Sequence, residues 1–318
     1  MRTRERQATL QQALAELDRI GERADALAGR MHRHGRRHLL EDTIPLAHEG
    51  PARQLHGAAA VIGLSVLLDS AVEHYRGSFK NSAMVLPLVS SAANIASSLH
   101  GMKASPADSH RFRTATYLAA IGIGAVGTGF HLYNVGKRVG GFRWENLFYG
   151  APLGAPAALA LSGIAGLAGD RLAGNARKSG VATLFGLPAG RVTAALTSLG
   201  LLGTVGEAGL LHFRGNFQNP AMYVPVTLPP VAAALLAKAA IEKPRGRHRL
   251  ARLWLRLTSA MGFAGAAFHI YGVSRAMGGW TNWRQNVLDG PPIPAPPSFT
   301  GLAIGGLAAL ELIERAER

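Results

Sequence analysis

Six residues could do chemistry and each belongs to a pair with one fixed spacing. His74 and His131 return 138 residues later as His212 and His269, and Asp69 returns as Glu207. Two imidazoles offered by neighbouring helices form the ligand set of a b-type haem. His74 with His131, and His212 with His269, are therefore two candidate sites for haem b or a quinone. The same imidazoles can instead serve as hydrogen-bonding or headgroup-contacting residues, or as ligands of a non-haem metal. Tyr133 and Tyr271 follow the second histidine of each pair by two residues and complete the repeated polar set.

Asp69 and Glu207 raise a different chemistry. A carboxylate near the middle of a bilayer costs ~2.5–3.5 kcal/mol on insertion scales, so it needs a partner or a cavity. Arg76 and Arg214, two residues after the histidines, are candidate partners, as is a histidine on the next helix. Alternatively the two carboxylates face each other across a pseudo-two-fold axis and mark a proton or cation path. Glu73 has Leu211 as its counterpart, which weakens its claim.

These residues sit inside a duplicated unit. HYRGSFKNSAMVLP from His74 reappears as HFRGNFQNPAMYVP from His212, with eight of fourteen positions identical. Phe130-His131-Leu132-Tyr133 matches Phe268-His269-Ile270-Tyr271. After a two-residue insertion the match resumes at offset 140, where Gly150, Pro152 and Pro156 answer to Gly290, Pro292 and Pro296. Self-similarity on this scale sets the architecture before any chemistry is assigned.

The elements that carry the pairs are apolar runs of roughly 20 residues, the length a helix needs to cross ~30 Å of hydrocarbon. They cover residues 57–76, 82–102, 113–136, 147–169, 192–213, 220–241, 250–274 and 292–313. The expectation is an all-α integral membrane protein of eight transmembrane helices, arranged as two parallel four-helix repeats. Residues 1–54 form a cytoplasmic segment, 55–175 the first repeat and 176–318 the second. In an up-down-up-down bundle the first and third helices are diagonal neighbours, with axes roughly 14 Å apart, a gap that suits a porphyrin held edge-on. Gly77 and Gly215 fall where the chain must reverse between the first two helices of each unit, and glycine tolerates the backbone angles of such a turn. Asn81 and Asn219 then open the second helices as caps. Prolines gather in the distal halves of the even-numbered spans, where they break the backbone ladder. The inner halves read as plainly apolar.

Charge sets orientation. The chain carries a net +15, yet 26 of its 34 Lys and Arg fall before the first span, after the last, or in the loops and adjoining span ends on that same side. This positive-inside pattern places both termini in the cytoplasm of a bacterial-type inner membrane and argues against a nucleic-acid footprint. There is no cysteine, which excludes disulfides, thiolate catalysis and iron–sulfur clusters. The polar N-terminus does not resemble a cleavable signal, so the first span would act as its own insertion signal. Within 1–54, Leu10, Leu17, Ile20, Leu27 and Met31 lie on one face of an amphipathic helix that would bind a partner or the membrane surface. His32, His34 and His38 follow among arginines, a basic stretch suited to anionic lipid rather than to a metal.

Three functional classes fit these residues. The first is a membrane electron-transfer or anchor subunit with no catalytic activity of its own, its periplasm-facing histidines holding haem or quinone beside a periplasmic oxidoreductase. The second is a transporter or channel for a small solute, ion or proton, using Asp69 and Glu207. The third is a structural subunit of the bilayer. The apolar inner halves favour the first, because alternating-access transporters place polar groups near the midplane.

Overall fold

The structure is a computed structural model that describes residues 49–104, 111–150, 152–175, 183–242 and 248–316. The amphipathic seam at 10–31 and His32, His34 and His38 lie outside the described residues. The described chain is helical apart from a hairpin of two-residue strands, β1 (Thr183–Leu184) and β2 (Leu187–Pro188). In order the helices are α1 (Glu49–Arg76), α2 (Leu86–Lys103), α3 (Arg111–Gly136), α4 (Trp144–Phe148) and α5 (Gly154–Asn175). After the hairpin come α6 (Ala189–Arg214), α7 (Val224–Ile241), α8 (Arg249–Arg275), α9 (Trp283–Asp289) and α10 (Pro297–Arg315).

Five of the helical stretches are long and apolar enough to cross a membrane: Glu49–Arg76, Ser82–Lys103, Arg111–Gly136, Ala189–Arg214 and Pro220–Ile241. The other three long helices, α5, α8 and α10, carry charge near the end at which α1 begins. Asp170 and Arg171 lie on α5; Arg249, Arg252 and Arg256 on α8; Glu311 and Glu314 on α10. On α10 these charges are answered by the fold. Gln54 donates to Glu311 at 3.1 Å, and Arg252 pairs with Glu314 at 2.7 Å.

Two of the expected spans start later than their apolar runs suggest. The stretch 147–169 divides into the short α4 and then α5 from Gly154; likewise 292–313 becomes a proline-rich approach and then α10 from Pro297. Pro152 in one copy, and Pro291, Pro292 and Pro294 in the other, have no N–H to extend a helix.

Packing joins α1, α2, α3 and α5 into one closed ring and α6, α7, α8 and α10 into another. The rings meet broadly along α1 and α10, and more narrowly along α5 and α6. A small cavity of about 30 Å³, lined mainly by aliphatic side chains such as Leu55, Ile62, Leu161 and Leu302, lies where these four helices converge. Close approach depends on small residues. A Cβ on Gly124 would come within 2.5 Å of the Ala160 backbone on α5. Its counterpart Gly262 stands against Thr300 on α10 in the same way.

This contact yields a test. Gly124→Val should lower the thermal midpoint in detergent, with an overpacking cost of about 1–3 kcal/mol. Gly122→Val, whose new side chain meets nothing within 4 Å, should leave it unchanged. Equal effects at both sites would refute close packing of α3 on α5.

Candidate functional site

At the far end, where α1 finishes, all four repeated histidines do the same thing. Each Nδ1–H donates to a backbone carbonyl in an irregular segment. His74 bonds Met84 O at 2.6 Å, and His212 bonds Met222 O at 2.8 Å. His131 reaches Pro152 O at 2.5 Å, and His269 reaches Pro292 O at 2.7 Å. Met84 and Met222 lie in the 3-10 turns that precede α2 and α7, and Pro152 and Pro292 in the segments before α5 and α10. The imidazoles thus supply donors where the helical ladder is interrupted.

The rest of the repeated motif is explained at the same turns. The left-handed backbone positions are Ser78 and Phe79 in one copy and Asn216 and Phe217 in the other, not Gly77 and Gly215 as expected. Those glycines instead make room for a methionine. A Cβ on Gly77 would lie 3.1 Å from Met84 Cε, and one on Gly215 would lie 2.9 Å from Met222 Cε. Phe79 and Phe217 each meet their histidine edge-on at 6.1 Å. Asn81 and Asn219 accept from the amides of Ala83 and Ala221 at 2.9 Å, the capping role expected of them.

The arginines do not go to the carboxylates. Arg76 pairs with Glu73 at 2.8 Å and approaches Asp289 at 4.0 Å. Arg214 lies over the rings of Phe148 and Tyr149. Tyr133 and Tyr271 are exposed, the former beneath Lys137, so neither joins a site. Asp69 and Glu207 lie within electrostatic reach of each other, with Glu73 also within reach of both, but no hydrogen bond joins the two carboxyls among the described residues. Glu207 also accepts from the Gly154 amide at the start of α5. The residue equivalent to Gly154 in the second copy is Pro294, which has no amide to offer. Ser65 donates to its carbonyl instead at 2.5 Å. His212 and His269 meet with ring centroids 6.4 Å apart, so the diagonal is bridged by the imidazoles themselves.

A second polar assembly lies at the near end, inside the first ring only. Arg113 Nε donates to Asp170 at 2.9 Å, and Arg113 Nη1 donates to His100 Nδ1 at 2.8 Å. His56 stands between Asp170, 3.6 Å from its Nε2, and the Tyr117 hydroxyl, 3.0 Å from its Nδ1. Ser98 lies 3.4 Å from the same hydroxyl. One turn further along α2, Asn94 bonds Ser162, which donates to Ala59 O at 2.7 Å. His56, Asn94, Ser98, Arg113, Tyr117, Ser162 and Asp170 are all buried, at most 3% exposed. The expectation that the inner halves are apolar fails here.

In the second ring the corresponding positions are apolar, although Thr193, Thr197 and Ser198 of α6 are buried nearby. At the matching offsets of 138 and 140 these seven positions are Ala194, Ala232, Leu236, Ala251, Leu255, Leu302 and Leu310. Every one is buried in the apolar core. Space is adjusted to match. A Cβ on Gly101 would come within 2.6 Å of the His56 ring, and one on Gly169 within 3.0 Å. Their counterparts are Ala239 and Ala309, opposite the small Ala194.

The helix α2 shows the consequence most plainly. Its buried residues are Ser90, Ser91, Asn94, Ser97, Ser98 and Gly101, while Leu86, Val89 and Leu99 point outward. This is an amphipathic helix with its polar face turned into the bundle. Its counterpart α7 buries Pro229, Ala232, Ala233, Leu236 and Ala239. Sequence reasoning aligned the copies for identity and so passed over these residues; the signal lay in the positions where they differ. Among the described residues no cluster of three His, Asp or Glu is placed to hold a metal ion.

Comparison with protein-family models, with curated proteins and with solved structures gave no match to this chain.

Two outcomes follow from the buried network. Gly101→Ala should lower the thermal midpoint, and the triple change His56→Ala, Gly101→Ala, Gly169→Ala should recover most of the loss, since it installs the packing of the second ring; an additive loss would refute the fit. Asp170→Ala strands a buried guanidinium and should cost about 3–5 kcal/mol, read as loss of folded protein in detergent, whereas Glu242→Ala at an exposed pair should cost nothing measurable.

Proposed function

We propose that this chain is an eight-span inner-membrane protein of bacterial type and that it passes a small cation or proton through the interior of its first four-helix unit. In this reading two parallel units, residues 55–175 and 176–318, arose by duplication, and both termini face the cytoplasm. Support comes from the paired ring packing, the contacts recurring at offsets of 138 and 140, and the excess of basic residues at the near end. The observation that carries the transport reading is the inward polar face of α2 with its apolar replacement in α7. Polar and ionisable groups inside a bilayer are costly, and they mark pathways and relays when they face a bundle interior. One copy has kept that cost and the other has not, so packing alone does not account for it.

Asp69 and Glu207 form the far mouth of the path, contributed by both units. Two ionised carboxylates held near each other repel, and a cation or proton between them relieves the repulsion. In proteoliposomes that support flux, Asp69→Asn and Glu207→Gln should each reduce it at least tenfold. Unchanged flux in both would remove the carboxylates from the pathway.

One observation favours a second reading. All four repeated histidines spend Nδ1–H on a carbonyl, the bond that orients a ligating imidazole and leaves Nε2 for a metal. His212 and His269, with His74 and His131, would then hold haem b, or bond a quinone, beside a periplasmic oxidoreductase. Haem would supply one-electron transfer there. Protein purified from haem-replete cells should show a Soret band that His212→Ala abolishes; absence of the band in the native chain ends this reading.

A further inference from the structure

Resting on the transport reading above, we infer that the ion carried through the first ring is the proton, moved along a wire of amphoteric groups from Asp170 to Asp69. The residues define a continuous column. Contacts between α1 and α2 match His56 with Gly101, Gly63 with Asn94, and His74 with Met84. On that register Ser90 and Ser91 come level with the stretch from Val66 to Asp69. The polar face of α2 therefore begins beside the His56–Tyr117 pair and ends at the depth of Asp69, about 12 Å further along the helix axis.

The chemistry of the column selects its cargo. A dehydrated metal cation needs several oxygen ligands and net negative charge around it. Among the described residues buried inside the first ring at the near end there is one carboxylate, Asp170, and it is neutralised by Arg113. Proton transfer asks for something else, groups that donate and accept at once. Serine and tyrosine hydroxyls do this, and neutral imidazole does it through its two nitrogens. Ser90, Ser91, Ser97, Ser98, Tyr117 and His56 are all of this kind. The hydroxyls of Ser90, Ser91 and Ser97 are buried without a hydrogen-bond partner among the described residues. Buried hydroxyls in that state are the usual partners of internal water, which would link them into a wire.

His56 is the transfer point at the near end. Among the described residues Asp170 of α5 and Tyr117 of α3 face it directly, while Arg113 of α3 pairs with that Asp170 and bonds in turn to His100 of α2. A proton taken from bulk water at the near end adds at one ring nitrogen, and the proton on the other nitrogen leaves through the Tyr117 hydroxyl towards Ser98. It passes along the serines to the carboxyls at the far mouth and is released to water there. No bond other than O–H and N–H forms or breaks, and the electrochemical gradient drives the step in either direction.

The test uses the full chain in liposomes containing a trapped pH dye, with a potassium diffusion potential set by valinomycin. Internal pH should fall when the interior is made negative. Tyr117→Phe and Ser91→Val should each slow the fall at least tenfold while keeping the native thermal midpoint, and Val89→Ala, on the outward face, should leave it unchanged. If Ser91→Val fails to fold, Ser91→Ala takes its place. Uptake of labelled sodium, which valinomycin does not carry, is followed in parallel. Sodium uptake without acidification overturns the proton assignment and leaves the transport reading standing. Folded protein that passes neither protons nor sodium overturns both. Acidification that none of the interior variants slows overturns the wire.

Discussion

The bond from an imidazole Nδ1–H to a freed backbone carbonyl is the interaction on which the far half of this structure depends. Lipid offers no water to a bare carbonyl, so a helix broken by proline within the bilayer must find its donors in the protein. Here the interruption and the remedy recur together in both rings. Each third helix of a ring sends a histidine to the segment before the fourth, and each first helix sends one to the turn before the second. Four such bonds fix where α2, α5, α7 and α10 start, and hence the depth of everything those helices carry, including the amide that meets Glu207.

With the far half held alike in both copies, the near half was free to differ. The first ring encloses an ion pair, the His56 imidazole, a phenol and a ladder of hydroxyls, with His100 at its exposed edge; the second has alanine, leucine and Pro229 at the enclosed addresses. A buried ion pair is seldom worth its desolvation as a source of stability. The second ring demonstrates the point within one molecule, since the same backbone plan closes without it. The contrast supports reading the first interior as the working part and the second as its frame.

Much of the fold could be read directly from residues. The apolar runs located the helices, and the repeated histidines and carboxylates pointed to segments that do meet. What escaped reading has a physical cause in each case. The late starts of α5 and α10 follow from prolines whose effect on helix length depends on which carbonyls can be re-satisfied. The turn glycines were assigned to backbone freedom, whereas their small size is what the methionines use. The buried network was hidden because Ser, Ala and Gly score nearly alike in an apolar run, and a helix with its polar face turned inward has the same composition as one with it turned out. Only the comparison of Asn94 with Ala232, or Asp170 with Leu310, separates them.

The glycines around His56 make the exchange between the two packings run more easily one way than the other. With both methyls of the Ala239 and Ala309 kind in place, an imidazole has nowhere to go. An ancestor resembling the second ring would have had to lose those methyls first and pass through hollow intermediates before a histidine gained it anything. An ancestor resembling the first ring needed only to shorten its histidine and then fill the space one methyl at a time. The second route never passes through a clash, so on packing grounds a ring of the first kind converts to the second more readily than the reverse.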